Sequence, residues 1–182
     1  FRAWLRDQGL PFDFVLFSNY ERQVEALLDG WVDVAWNSPL AWVRIRRACE
    51  SRGMTATAIA MRDTDRDLSS AIVVRANSGI ETLHDLRGRT VAVGAVDSPQ
   101  ATLLPLSLLR ANGLVPDRDF QLRVFNVLPG KHGDHMGGEH DAARALVAGE
   151  VDASCMIDVN HIFLTRNGTL PTGSTRIVAR TD

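Results

Sequence analysis

The chain has 182 residues, of which 45% are hydrophobic and 23% charged, enough apolar material for one sizeable core or two small ones. Its 20 Lys and Arg against 22 Asp and Glu leave a net charge of -2, which gives no global attraction to nucleic acid or an anionic membrane. No apolar stretch approaches the roughly 18 residues that cross a bilayer, and residues 1–5 do not resemble a signal peptide. The sequence predicts a soluble globular protein.

Helical and strand patterns alternate along most of the chain. Apolar spacing, Gly stops and N-cap residues predict helices over 1–9, 20–28, 39–49, 101–112, 141–148 and 160–166. Compact apolar runs predict strands over 12–17, 31–36, 55–61, 70–74, 90–95, 120–127, 151–157 and 175–179. This alternation favours α/β lobes with parallel sheets and helices on both faces. We expect two small lobes that join near residues 74–78.

Residues 26–35 resemble residues 145–154. Each segment runs from a helix end through a Gly that suits a left-handed cap into a strand with Asp at its third position, Asp33 and Asp152. We expect both aspartates to be structural. Two interpretations remain open: an internal repeat that marks two similar lobes, or two independent helix-to-strand turns.

The turn after the predicted strand 90–95 has the features of an anion site. Residues 97–102 read Asp-Ser-Pro-Gln-Ala-Thr, and a helix that starts near Pro99 leaves unpaired N–H groups and the positive end of its dipole at this turn. The turn also follows the carboxyl end of a strand, where open α/β sheets bind ligands. We therefore predict ligand contacts from Asp97, Ser98, Gln100 and Thr102, with N-capping as the alternative for Ser98.

Other polar residues occupy similar positions. Asn37 and Ser38 follow the predicted strand 31–36, where they either contact a ligand or cap the next helix. Tyr20, the only tyrosine, either closes over a ligand with its ring and hydroxyl or packs at a helix start. Asp158 ends the strand 151–157, where it is placed to accept a hydrogen bond from an amine or hydroxyl, or to coordinate a metal.

Residues 130–141 hold three of the five histidines together with Glu and Asp residues in a glycine-rich stretch. Histidine nitrogens and carboxylates are zinc ligands, which makes His132, Asp134, His135 and Glu139 a candidate set for zinc or a similar divalent metal. Their spacing matches no standard zinc signature. Ligand recognition, lobe closure and a solvated loop remain open as alternatives.

Several segments carry a family resemblance. They are Asp85-Leu-Arg-Gly-Arg-Thr-Val-Ala-Val-Gly94, then Asp97-Ser98, Pro105 and Asn112-Gly-Leu114, with residues 20–42 before them and 138–152 after them. In order and spacing they resemble the lobe signatures of type 2 periplasmic binding proteins, most closely the phosphate, phosphite and phosphonate binders of ABC importers. The loop 97–102 departs from the Ser/Thr-rich loop usual in phosphonate binders.

The resemblance implies a two-lobed fold in which residues 1–75 form an incomplete lobe one, 76–176 form lobe two and 177–182 begin the crossover back, in a partial chain. It implies a periplasmic substrate-binding component that clamps a small polar, anionic solute (phosphonate-, carboxylate- or sulfonate-like) and delivers it to a membrane permease. It also implies that His140 contacts the ligand at a helix start, without catalysis or a cofactor.

A metal-dependent enzyme on the same fold is the alternative function, with Glu139 or His140 as its base. Fold alone does not choose between binding and catalysis. The sequence has no GxSxG motif, no nucleophilic Cys with an adjacent His and no dinucleotide fingerprint, which favours the binding protein.

Overall fold

A computed structural model describes residues 2–63, 66–126 and 135–181, with side chains from residue 138 onward in the last range. The chain divides into two compact units between Ala56 and Thr57. None of the helices in the described ranges is long and apolar enough to cross a membrane.

The first unit contains three helices, α1 (Arg2–Asp7), α2 (Tyr20–Leu28) and α3 (Pro39–Arg52). The side chains of Asn19 and Ser38 cap α2 and α3, and Pro39 fits the first turn of α3, where a missing N–H costs nothing. The two longer helices pack through a small apolar cluster of Val24, Leu28, Ala41, Ile45 and Cys49.

The structure contradicts the prediction of strands over residues 12–17, 31–36 and 55–61. These segments form no strand in the described ranges, and most of their apolar side chains stay exposed, Leu16 and Trp31 at 85% and Ile59 at 76%. An apolar run favours an extended backbone, but a strand needs a neighbour to pair with its N–H and C=O groups. The described residues supply no such neighbour here.

The second unit is built on one five-stranded sheet. Its strands are β1 (Ser70–Arg75), β2 (Thr90–Val93), β3 (Gln121–Val124), β4 (Ala153–Ile157) and β5 (Thr175–Arg180), in the order β3-β2-β4-β1-β5. β2 runs parallel to β3 and β4, whereas β1 runs antiparallel to β4 and β5. The sheet is therefore mixed, whereas the sequence pattern predicted a mostly parallel sheet.

Helices α4 (Leu104–Ala111), α5 (His135–Val147) and α6 (Asp158–Arg166) complete the second unit. One sheet face carries Ile72, Val91 and Val93 and packs with Leu106 and Leu109 of α4. The other face packs with α5 and α6 through a second cluster: Ala71, Val73, Ala92, Ala142, Ala143, Ala145, Leu146, Val151, Met156, Leu164 and Leu170. The prediction of helices on both faces of a sheet is confirmed.

The division between residues 56 and 57 differs from the predicted lobe boundary at residue 75. β1 lies inside the second unit's sheet, between β4 and β5, and β5 pairs with β1 although residues 177–182 were expected to begin a crossover. The sequence pattern marks each strand, but these partners lie about 80 to 110 residues away along the chain. The assignment of the lobes in a longer protein stays a prediction.

Candidate functional site

Three parallel strands end at one edge of the second unit's sheet. Because β2 is parallel to both β3 and β4, their carboxyl ends meet there, and we call the backbone around Gly94, Phe125 and Ile157 the carboxyl edge. A π-helical turn (Pro99–Leu103) follows β2, and α6 follows β4 directly. A Cβ at Gly138 of α5 would collide with the carbonyl oxygen of Phe125 and lie 3.4 Å from the Ala95 nitrogen. Three helical segments therefore begin beside this edge.

The hydroxyl groups in the turn after β2 support its backbone. Ser98 is buried, and its Oγ accepts a hydrogen bond from the Ala101 N–H at 3.2 Å. Thr102 is buried as well, and its Oγ1 donates to the Ala95 carbonyl at 2.8 Å. Asp97 and Gln100 are half-buried in the same turn. The structure thus gives Ser98 the capping role that the sequence kept open, and the predicted ligand contacts of all four residues stay predictions.

His140 does not lie at a helix start, so that part of the prediction is wrong. α5 includes His135 to Gly138, which puts His140 in its second turn, and its Nε2 lies 3.0 Å from Thr169 Oγ1. Its contact with a ligand stays a prediction.

Glu139 is the one fully buried carboxyl group among the described residues, at 0% exposure. Its Oε2 accepts hydrogen bonds from the Ile157 N–H at 3.2 Å and from Asn160 Nδ2 at 2.7 Å. Its Oε1 has no hydrogen-bond partner within the described part of the chain. Burial raises the pKa of Glu139 to about 7, although both hydrogen bonds act to lower that pKa.

The sequence carried a signal for this burial. Glu139, Ala142, Ala143 and Leu146 follow the i, i+3, i+4, i+7 spacing of one helix face, and the other three are buried against the sheet. A carboxyl group on an apolar face is unusual. The sequence pattern predicts the start of this helix after Glu139, at Asp141, and therefore indicates only a metal ligand or a base at Glu139.

Asp158 is the first residue of α6, at the end of β4 as predicted. Its Oδ2 accepts a hydrogen bond from Ser69 Oγ at 3.0 Å, and its backbone N–H donates to the Ser69 carbonyl at 3.0 Å. Its Oδ1 accepts from the Val159 N–H. These bonds join the start of β1 to the start of α6, and a ligand contact by Asp158 stays a prediction.

The proposed metal ligands are only partly within the described residues. His132 and Asp134 lie outside them, and so does the side chain of His135. Over the described ranges, no group of three or more His, Cys, Asp or Glu residues is arranged to hold a metal ion. Zinc binding by this segment stays a prediction.

The candidate residues of the first unit lie at helix starts. Tyr20 is the first residue of α2, and Ser38 caps α3 by accepting a hydrogen bond from the Ala41 N–H at 3.2 Å. Asn37 precedes this cap and is half-buried. Beside it, the Trp36 carbonyl accepts a hydrogen bond from Gln23 Nε2 at 3.0 Å. The capping role of Ser38 is confirmed, and ligand contacts of Tyr20, Asn37 and Ser38 stay predictions.

The comparisons with known proteins agree with this architecture. A family described as "ABC transporter, phosphonate, periplasmic substrate-binding protein" matches residues 1–182. The chain therefore belongs to this family of substrate-binding proteins, which is not a family of enzymes. The tetrathionate sensor histidine kinase TtrS of Salmonella typhimurium is 36% identical over 111 residues, which cover 58% of this chain and 18% of the kinase.

Solved structures share the fold. XAC2383 from Xanthomonas citri, bound to ATP, has a TM-score of 0.71 and 22% identity, covering 99% of this chain and 65% of that one. PhnD1 from Prochlorococcus marinus, in complex with methylphosphonate, has a TM-score of 0.67 and 19% identity over 99% of this chain and 64% of its own. The aliphatic sulphonate binding protein SsuA from Escherichia coli follows with a TM-score of 0.59 and 22% identity, covering 98% of this chain and 51% of its own. The chain spans less than two thirds of each.

Proposed function

We propose that this chain binds a small oxyanion at the carboxyl edge of its second unit, as part of the substrate-binding component of an ABC importer. The observation that carries the proposal is the meeting of the π-helical turn, α5 and α6 at the carboxyl ends of β2, β3 and β4. Open α/β sheets bind ligands at this end of their strands. Membership of the substrate-binding family supports the same role.

The physical basis of anion binding is the backbone. The first N–H groups of a helix have no partner inside the helix, and the aligned peptide dipoles add partial positive charge at that end. Where several such ends meet, an oxyanion finds hydrogen-bond donors without a full cationic charge beside it. Gln100, in the turn after β2, adds an amide side chain that donates to ligand oxygens.

The proposed ligands are phosphonate-, sulfonate- or carboxylate-like. The proposal includes a permease partner and a periplasmic location, which the family's description supports. Tyr20, Asn37 and Ser38 are proposed as additional ligand contacts on the ground of the sequence resemblance.

Calorimetry with methylphosphonate, methanesulfonate and acetate tests the proposal. We expect at least one of these anions to bind the wild-type chain, and Gln100→Ala to weaken that binding about tenfold or more, since a hydrogen bond to a charged group contributes about 1.5–3 kcal/mol. Gln121→Ala is the matched control, because it makes the same change at the start of β3, the opposite end of a parallel strand. Failure of all three anions to bind at millimolar concentration, or equal losses in both variants, would contradict the proposal.

A sensory module is the second candidate function. The observation that favours it is the 36% identity to the tetrathionate sensor kinase over 111 residues, against 19–22% to the binding proteins of solved structure. In this case the same carboxyl edge would bind an oxidised sulfur anion such as tetrathionate and pass a signal instead of a nutrient. Competition calorimetry decides: displacement of a bound phosphonate or sulfonate by tetrathionate at lower concentration supports the sensor, and weaker tetrathionate binding supports the importer.

A further inference from the structure

Glu139 places a carboxyl group beside the carboxyl edge. A Cβ at Gly94, just after β2, would lie 3.6 Å from Glu139 Cγ, and Glu139 Oε2 bonds to the N–H of Ile157, the last residue of β4. The preceding residue, Gly138, abuts the backbone of Phe125 after β3. Glu139 therefore lies next to the ends of all three parallel strands where we place the ligand.

The carboxyl group occupies the start of α6. Ile157 is the N-cap residue of α6, and its own side chain makes no capping hydrogen bond. Instead, Oε2 of Glu139 accepts hydrogen bonds from the Ile157 N–H and from Nδ2 of Asn160 in the first turn of α6. Glu139 thus acts as a built-in anion at one of the three helical segments that begin at this edge. Both of its hydrogen-bond donors are uncharged, so they leave its negative charge unbalanced when it is ionised.

From this position we infer that Glu139 is a charge-selecting residue, which makes the site favour a singly charged oxyanion over a doubly charged one. The inference rests on the proposed function. Repulsion between two fixed anions grows in proportion to the ligand's charge, and the buried surroundings screen it less than water does. A sulfonate or carboxylate carries one negative charge, whereas an ionised phosphonate carries two.

The elements around Glu139 carry further titratable groups. They are Cys155 on β4, Asp97 beside the turn, Asp158 on α6 and His140 on α5. Asp158 is hydrogen-bonded to Ser69, His140 lies against Thr169, and burial raises the pKa of Cys155 to about 12, so its thiol stays neutral at physiological pH. The charge of Glu139 also acts to raise the pKa of Cys155.

The test compares methylphosphonate with methanesulfonate, which share a methyl group and a tetrahedral head but differ by one charge at pH 9. We expect Glu139→Gln to strengthen methylphosphonate binding at least about tenfold more than methanesulfonate binding, because one additional charge pair is worth about tenfold in affinity even at a separation of about 12 Å and an effective dielectric constant of about 20. Glu150→Gln is the matched control, because it removes an exposed carboxylate, paired with Arg123, beyond the other end of β4. It should change both affinities by less than about twofold.

The outcomes separate this inference from the proposed function. If the wild-type chain binds neither anion, the proposed function fails. If it binds either one and Glu139→Gln shifts both affinities equally, or leaves both unchanged, charge selection by Glu139 is wrong.

A second measurement covers the case in which Glu139→Gln does not fold. Calorimetry of methanesulfonate binding to the wild-type chain at pH 7, in buffers of different ionisation enthalpy, then measures proton uptake on binding. Uptake of a fraction of a proton is expected, because a bound anion favours the neutral form of a neighbouring carboxyl group. Binding without any uptake would contradict the inference.

Discussion

The segments 26–35 and 145–154 have similar sequences and the same helix end. Gly30 and Gly149 take φ angles of 75° and 77°, in the left-handed region that favours glycine. The residue after each glycine donates a backbone hydrogen bond to a carbonyl of the preceding helix. The Trp31 N–H donates to the Ala26 carbonyl at 2.8 Å, and the Glu150 N–H donates to the Ala145 carbonyl at 2.9 Å. Both turns satisfy helix carbonyls in the same way.

Beyond the turn the two segments differ. Residues 153–157 form β4, paired with β1 and β2, and Asp152 accepts a hydrogen bond from the Thr90 N–H at 2.9 Å. Residues 31–36 form no strand in the described ranges, and Asp33 is exposed. The comparison shows that a helix end is determined by a few neighbouring residues, whereas a strand depends on partners that are distant in sequence.

The largest expected difference between the two segments concerns the leucine before each glycine turn. Leu146 is fully buried against the sheet, whereas its counterpart Leu27 is half-buried. Leu146→Ala should lower the free energy of unfolding by about 2–5 kcal/mol, since it leaves a cavity in a packed core. Leu27→Ala should cost less than half as much. Urea denaturation measures both, and equal losses would show that the first unit is packed as tightly as the second.

A glutamate on each helix, Glu139 on α5 and Glu25 on α2, extends the comparison to the pH dependence of stability. Burial raises the pKa of Glu139 to about 7 from 4.5, so its contribution to stability is fully present below pH 4.5 and is lost as the pH rises to about 7. In wild type, the free energy of unfolding should fall across this window by up to about 3 kcal/mol, at 1.36 kcal/mol per pH unit of pKa shift. Glu139→Gln should abolish this fall.

Glu25 on α2 provides the control for that measurement. It is exposed and paired with Arg22, so Glu25→Gln should leave the pH dependence of stability as in wild type. Chemical denaturation of the three proteins at pH 4.5, 6 and 8.5 makes the comparison. A fall that persists in Glu139→Gln would assign it to other carboxyl groups.

The two aspartates after the turns should differ by a smaller amount. Asp152 accepts a hydrogen bond from the Thr90 N–H, and its carboxylate lies 3.6 Å from the guanidinium of Arg75. Arg75 in turn donates to the carbonyls of Leu146 and Val151. Asp152→Ala should therefore cost about 1–3 kcal/mol, because a half-buried N–H loses its partner. Asp33→Ala should stay within about 0.5 kcal/mol, as an exposed substitution does. Thermal unfolding of both variants checks this, and a similar cost for Asp33→Ala would reveal a structural role for it.

These contrasts explain how far the sequence predicted the fold. Caps at Ser38 and stops at Gly30 and Gly149 depend on residues within one helical turn, and the structure confirms them. The partners of β1 come from strands distant in sequence, and the exposed run around Trp31 pairs with no strand in the described ranges. Hydrophobic periodicity predicts a strand in both cases, but it does not indicate which other strand, if any, will pair with it.

The candidate site shows the same limit. The carboxyl edge followed from the order of strands and helices, because the carboxyl ends of parallel strands lie together. The start of α5 was predicted too late, since Gly137 and Gly138 have low helix propensity and suggested a loop. Gly138 is required there by the close approach of Phe125, a tertiary contact, and this misplacement concealed the burial of Glu139.

The smallest expected difference is between the two glycines themselves. Both have open space where a Cβ would be, so the cost of substitution comes from the positive φ angle alone. Gly30→Ala and Gly149→Ala should each lower the free energy of unfolding by about 1 kcal/mol, and the two costs should agree within about 0.5 kcal/mol. Equal costs from urea denaturation would confirm that the helix end is set locally, whatever the following residues do. A much larger cost at Gly149 would mean that the pairing of β4 depends on this turn, and that the two helix ends are alike in geometry but not in energy.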